Sequence, residues 1–402
     1  MSLQPTPFSC RNLTALVLAV VTAVVAMLSG GSAPVHAQSS TYQTKAKHAI
    51  LMDADSGAVL YQHEADELTP PASMSKLMTL AVVFRALKNG TLKLEDEFTM
   101  SVNAWRTGGA PSGTSAMFVP VNEKVTLAEL LQGIAVQSGN DACIAIAEGI
   151  AGSEPGFAQI MQNEARRIGL PKSTFRNATG LYHPEHLMTV RELAQLARFI
   201  TKEYPERMEL FAQREFKYRK HRFINRNPLL FLDIGADGMK TGYIKESGYG
   251  IVGTAAQDGR RLIVVVNGLD TSNDRRDEAR RMLEWGFRSF GEFKLFAPGE
   301  VVGSARVWGG SSFYVPLEGR NGVAVVLPRY PANQRLSAEI IYKGPLKPPI
   351  RKGDEVAKLR VTSSTSAMSE VPLYAAEDVG KASIVRQGLD SLVHMAIGWI
   401  KL

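Results

Sequence analysis

Three short patterns in this sequence carry side chains suited to acyl transfer. In Pro71-Ala72-Ser73-Met74-Ser75-Lys76, a serine and a lysine stand three positions apart at the expected start of a helix. Residues i and i+3 share one helix face, so the Lys76 amine can reach the Ser73 hydroxyl. An alcohol is a weak nucleophile until a base takes its proton. A lysine serves as that base only when burial or a neighbouring cation disfavours its ammonium form. Taken singly, Ser-x-x-Lys equally describes a helix N-terminus with a solvated lysine. Ser138-Gly139-Asn140 falls on a glycine-containing break between two helical runs, where it would present a hydroxyl and an amide into a cleft. Alone, it also describes a helix–helix turn. Lys240-Thr241-Gly242 follows Asp237-Gly238 and opens a strand-rich region; alone, it is a turn into a strand. Chance produces the ordered set, in these contexts, far more rarely than any one member.

The surrounding pattern predicts how these residues are held. Residues 48–62 read as a hairpin around the turn-rich Asp53-Ala54-Asp55-Ser56-Gly57. The stretch from Ser73 to Lys88 is apolar on most faces, as expected of a helix buried in a core. Capping boxes at Thr126-Leu127-Ala128-Glu129 and Thr189-Val190-Arg191-Glu192 open helices over about 127–137 and 190–201. A third amphipathic helix, 157–168, stops at Gly169 and Pro171. Strand character returns at 238–268, with a hairpin signal at Asp258-Gly259, and Arg276 to Phe290 reads as a closing helix. Strands before and after a helical block predict an α/β unit in which the terminal strands join one sheet. After Pro298-Gly299, residues 300–375 show short alternating apolar runs among many Gly and Pro, the texture of a small all-β domain. From about Lys381 to Leu402, apolar residues recur at helical spacing, which predicts an amphipathic helix lying in a membrane interface.

The N-terminus predicts export. Arg11 is the only charged residue before Lys45, Leu13–Leu28 is almost wholly apolar, and Val35-His36-Ala37 offers small residues at a cleavage site. The apolar run is shorter than the roughly 20 residues of a membrane span. Residues 1–37 are therefore read as a signal peptide. The chain then divides into a catalytic domain over 38–295, a β-rich domain over 296–380 and the helix of 381–402, within its 402 residues. A net charge of +7 without a long Lys/Arg run argues against nucleic-acid binding. The one cysteine of the exported chain, Cys143, lies among apolar residues and reads as a small buried hydrophobe.

The segments Pro-Ala-Ser-Met-Ser-Lys, Ser-Gly-Asn-Asp-Ala, Asn-Arg-Asn-Pro-Leu-Leu and Asp-Gly-Met-Lys-Thr-Gly-Tyr resemble the low-molecular-mass penicillin-binding proteins. More closely, they resemble D-alanyl-D-alanine carboxypeptidases of serine peptidase family S11. The resemblance implies an antiparallel sheet with helices on both faces, followed by a β-rich module and a membrane-resting helix. It implies that Ser73 attacks the carbonyl between the two terminal D-alanines of a peptidoglycan stem peptide and that Lys76 takes its proton. Ser138 and Asn140 would extend the proton relay and hold the substrate amide. Lys240 would help keep Lys76 neutral. Thr241 and Gly242, with Arg226, would bind the substrate and its terminal carboxylate, a task that suits the planar guanidinium fork. The backbone N–H groups of Ser73 and Tyr243 would form the oxyanion hole. β-Lactams would acylate the same serine, and no cofactor is implied. Tyr243-Ile244 stands where several family members have His-Thr.

Rival readings share the acylation chemistry: a DD-endopeptidase, a β-lactamase, or a wall-binding protein that acylates without turnover. Against the β-lactamase, neither Glu164 nor Glu185 begins a Glu-x-x-x-Asn pattern, and Gly139 replaces the usual Asp. Elsewhere, His183-Pro184-Glu185-His186 invites a metal site, but it lacks a third ligand and reads as a polar surface loop. Asn177-Ala178-Thr179 is formally a glycosylation sequon. The basic run Lys217–Arg222 reads as a solvated edge near the cleft.

Overall fold

The computed structural model describes residues 42–330, 335–363 and 368–383. The expected signal peptide and residues 384–402 of the expected terminal helix lie outside the described residues; Lys381 pairs with Gly310 in a β-bridge. Among the described residues, no helix is long and apolar enough to cross a membrane.

The expected hairpin is present as strands His48–Asp53 and Val59–His63. The first of these pairs antiparallel with Arg260–Leu269, which pairs with Gly248–Gln257, which in turn pairs with Ala236–Ile244. Strands from both ends of the catalytic region thus close one sheet. Their side chains alternate between two cores, as a period of two requires. Ile50, Met52, Ile263 and Val265 belong to a core shared with the central helices. Leu51, Leu262, Val264 and Val266 belong to a core shared with Ala279, Met282 and Leu283 of helix Ser272–Ser289. That helix approaches closely at Gly286, where an added Cβ would meet Leu51 at 2.6 Å.

The central helices are Lys76–Lys88, Asn140–Ala151, Glu154–Arg167 and Val190–Glu203, with shorter turns between them. Lys76–Lys88 buries every residue from Lys76 to Phe84, which explains its all-round apolar composition. The capping box at Thr126 forms completely. At Thr189 only half of it forms. The Thr189 hydroxyl accepts from Glu192 N, but the Glu192 carboxylate is drawn away to accept from Lys172 N and Ser173 Oγ. Helix Val102–Gly108 was not foreseen. It is short and weakly patterned, and Ser101 caps it by accepting from Ala104 N.

Beyond the catalytic sheet, strands Val301–Arg306, Tyr314–Glu318, Val323–Pro328, Leu336–Ile341, Glu355–Ser363 and Met368–Ala375 enclose a third core, including Val315, Leu317, Val325, Leu359 and Leu373. Strand Phe290–Phe296 leaves helix Ser272–Ser289 directly and pairs with Val323–Pro328. It therefore crosses the boundary expected after residue 295. Among the described residues, one backbone bridge, Met368 to Val59, also joins the β-module to the catalytic sheet.

Candidate active site

Ser73 sits in a 3₁₀ turn, Ala72–Ser75, that runs straight into helix Lys76–Lys88. The turn is tightly held. Ala72 adopts a left-handed φ of 50°, unusual for a residue with a side chain. Gly180 packs so closely that an added Cβ would lie 2.0 Å from the Ala72 carbonyl oxygen. On the other side, Gly242 would place a Cβ 3.0 Å from the Pro71 oxygen.

Lys76 is wholly buried. Its Nζ is 2.8 Å from Ser73 Oγ, 2.7 Å from Asn140 Oδ1 and 2.5 Å from the Thr179 carbonyl oxygen. Burial lowers its pKa to about 8, with Arg226 adding to the effect, while Glu154 and Asp141 oppose it. Two of the three partners, an amide oxygen and a backbone carbonyl, only accept. A neutral amine has two N–H donors, which match those two acceptors, and its lone pair is then left for the Ser73 proton. The orientation of the Asn140 amide is fixed from its other end, where Nδ2 donates to Thr114 Oγ1 at 2.9 Å.

The Ser138–Asn140 segment owes its shape to an irregular helix end. Helix Leu127–Gln132 widens into a π turn over Gly133–Gln137, and Ser138 then turns left-handed at φ 66°. Single π turns of this kind recur at functional sites. Ser138 Oγ is buried and has no hydrogen-bond partner among the described residues, a costly state that an active site can hold in reserve for a ligand or proton. Asp141 anchors the facing loop. Its buried carboxylate accepts from Met117 N at 2.8 Å and Phe118 N at 2.9 Å. Asn140 N donates in turn to Ser115 O at 2.7 Å.

Lys240 lies on strand Ala236–Ile244, which packs against the Ser73 turn. It is almost completely buried, and its Nζ donates to the Thr241 carbonyl at 3.2 Å. Burial, then Lys76 and Arg226, hold its pKa well below the usual lysine value. Thr241 and Gly242 are buried beside it, whereas Tyr243 is 54% exposed and stacks on Tyr249 at 4.2 Å. Arg226 is exposed, with Nε 3.4 Å from Gln137 Oε1. Arg226 lowers the pKa of both Lys76 and Lys240, and Lys76 lowers that of Lys240, which places the three side chains in one electrostatic neighbourhood.

Thr179 and Gly180 were not singled out from sequence as site residues. The supposed sequon serves its own turn: Asn177 Oδ1 accepts from Thr179 N and, at 2.8 Å, from Gly180 N. His186, expected on a surface loop, is buried. Its Nδ1 accepts from Arg176 N at 3.4 Å, and desolvation lowers its pKa to about 4. Packing against Phe175 draws it inward. Among the described residues, no three His, Cys, Asp or Glu side chains converge as a metal site. The basic run folds as hairpin Glu215–Tyr218 and His221–Ile224, with Arg222 paired to Glu215 and Arg219 to Glu123. Cys143 is buried and its thiol is pushed up to about 12 by desolvation.

Residues 34–271 match the family model for D-alanyl-D-alanine carboxypeptidase, and residues 290–381 match that for the C-terminal domain of penicillin-binding protein 5. The chain belongs to the D-alanyl-D-alanine carboxypeptidase family. It is 37% identical to the family's D-alanyl-D-alanine carboxypeptidase DacC of Escherichia coli, over 82% of this chain and 83% of that protein. It is 32% identical to DacF of Bacillus subtilis, over 85% and 87%. The crystal structure of penicillin-binding protein 5 from Haemophilus influenzae superimposes with a TM-score of 0.73 at 32% identity, over 85% of this chain and 99% of that one. Penicillin-binding protein D2 of Listeria monocytogenes, solved in an ampicillin-bound form, superimposes with a TM-score of 0.55 at 27% identity, over 61% and 98%. The family's two-part architecture, an α/β catalytic domain followed by an all-β domain, is the one found here.

Proposed function

We propose that this chain is a serine D-Ala-D-Ala carboxypeptidase that trims the terminal D-alanine from peptidoglycan stem pentapeptides through an acyl-enzyme on Ser73. The observation that carries this reading is the partner set of Lys76: one hydroxyl that can yield a proton, and two oxygens that can only accept.

In the first step Ser73 Oγ bonds to the carbonyl carbon of the penultimate D-alanine, and its proton passes to Lys76 Nζ. The oxyanion is received by the backbone N–H groups of Ser73 and Tyr243. The C–N bond then breaks. The leaving amine takes a proton relayed from Lys76 by Ser138, whose hydroxyl is otherwise unpartnered. Water repeats the sequence on the ester, releasing the shortened peptide and restoring the Ser73 hydroxyl. Arg226 adds positive charge beside Lys76, which disfavours its ammonium; Lys240, held well below the usual lysine value, lies in the same neighbourhood. Arg226 and Thr241 receive the terminal carboxylate, and Asn140 holds the substrate amide. A penicillin presents a similar acyl group to Ser73 and is held there as an ester.

The same reading includes export directed by residues 1–37, a catalytic domain followed by a β-module, and attachment of residues 381–402 to the outer face of the cytoplasmic membrane. The sequence pattern supports these parts.

The direct test follows D-alanine release from a diacyl-D-Ala-D-Ala peptide by residues 38–402, with Ser73→Ala as control. Release by the parent and none by the variant is the expected outcome; equal release by both would sink the assignment. Rapid turnover of a penicillin would point to a β-lactamase instead.

A further inference from the structure

Glu154 belongs to no motif of the family pattern, yet it sits directly behind the catalytic lysine. It is the first residue of helix Glu154–Arg167, whose N-cap is Ser153. Its Oε1 accepts from Ala178 N at 3.2 Å. The carbonyl of the same residue accepts from Thr79 Oγ1 at 2.8 Å, and the next carbonyl, that of Thr179, accepts from Lys76 Nζ at 2.5 Å. Thr79 and Lys76 stand on one face of one helix. The Ala178–Thr179 segment is thus held by that helix through its two carbonyls and by Glu154 through the Ala178 N–H.

We propose that Glu154 is a positioning residue for Lys76: its carboxylate holds the Ala178 N–H, and with it the segment whose Thr179 carbonyl meets the Lys76 amine, and its negative charge sets how readily that amine holds a proton. The helix N-terminus favours the ionised carboxylate, while burial opposes it. Glu148 also faces Glu154; one of its oxygens accepts from Asn103, and the other is buried without a partner. Around Lys76 the other charged or titratable groups are Asp141 and Cys143 from helix Asn140–Ala151, Arg226, Lys240 from the neighbouring strand, and the His186 imidazole. Asp141 is committed to the amides of the facing loop. Glu154 is therefore the carboxylate that joins charge to the Lys76 carbonyl partner.

The inference rests on the proposed role of Lys76 as base, and two readouts keep the two apart. The first is an NMR titration of the Lys76 side chain in lysine-labelled protein, assigned by its loss in Lys76→Met, which needs no turnover. The second is the pH dependence of Ser73 acylation by a fluorescent penicillin. Glu154→Gln keeps an acceptor oxygen and removes the charge; Glu154→Ala removes both. The Lys76 midpoint is expected to fall by on the order of half a pH unit in both variants. The high-pH acylation rate should stay within about twofold of the parent in Glu154→Gln and drop several-fold in Glu154→Ala. An unchanged or raised Lys76 midpoint in Glu154→Gln would overturn the proposal while leaving the carboxypeptidase reading intact. A parent protein that fails to label at Ser73 counts against that reading alone, because the NMR midpoint is still measured.

Discussion

Lys76 donates to the carbonyl oxygen of Thr179, 103 residues further along the chain, at 2.5 Å. This contact occupies one of the two N–H donors of the neutral amine; Asn140 Oδ1 occupies the other. The chemistry of Ser-x-x-Lys is therefore completed by residues remote from the motif.

Acylation should follow the ionisation of Lys76. Its folded pKa is lowered to about 8, chiefly by burial. With the neutral amine as the proposed base, the rate of penicillin labelling should rise with pH through about 8 and then level off. At pH 7 the rate should be about one-tenth of the plateau, because one pH unit changes the neutral fraction roughly tenfold. A profile flat from pH 6 to 9 would contradict the role of Lys76.

Gly180→Ala should unfold or inactivate the enzyme. The residue has a φ of +75°, and a Cβ would meet the Ala72 oxygen at 2.0 Å and Ser75 Oγ at 2.6 Å. The strained backbone and the displaced nucleophile turn together should cost about 2–4 kcal/mol. Thermal melting and penicillin labelling would both register it; a variant with the parent's melting temperature and labelling rate would refute the clamp.

Asp141→Ala should loosen the loop at Met117 and Phe118. The backbone N–H groups of these two residues would lose their acceptor in a buried place, at a cost of about 2–4 kcal/mol. Hydrogen exchange at Met117 and Phe118 should speed up more than at the sheet centre; uniform exchange across both would argue for a general loss of stability instead.

Cys143 should resist thiol reagents in the folded protein. Its thiol is buried, with its pKa pushed up to about 12, so thiolate is scarce and access is closed. Reaction with a disulfide reagent is expected only after denaturant is added, and prompt native labelling would show an open path to the core.

What could be read from sequence follows from the range of the interactions involved. Ser73 and Lys76 are one helical turn apart, so their meeting is local. The hairpins and the long helices announce themselves through period and turn residues. Asn140 and Lys240 became visible through ordered motifs, although their approach to Lys76 is tertiary. Thr179 and Gly180 left only a polar turn, because a backbone carbonyl leaves no residue-type signal. Glu192 shows the opposite case: the local capping pattern was present, but Ser173 and Lys172 competed for the carboxylate and won. His186 was misjudged because the pull of Phe175 on its ring is set by folding, not by neighbours in sequence.

Gly180 and Gly242 together press on the turn that carries Ser73; Gly180 has no room for a methyl group, and at Gly242 one would fit only tightly. Ser73 is aimed, in effect, by side chains that are missing. A wall of this kind tolerates no gradual variation at Gly180, since the smallest change there is already too large. New substrate preferences would have to arise at the exposed rim, where a side chain such as Tyr243 can vary without touching that wall.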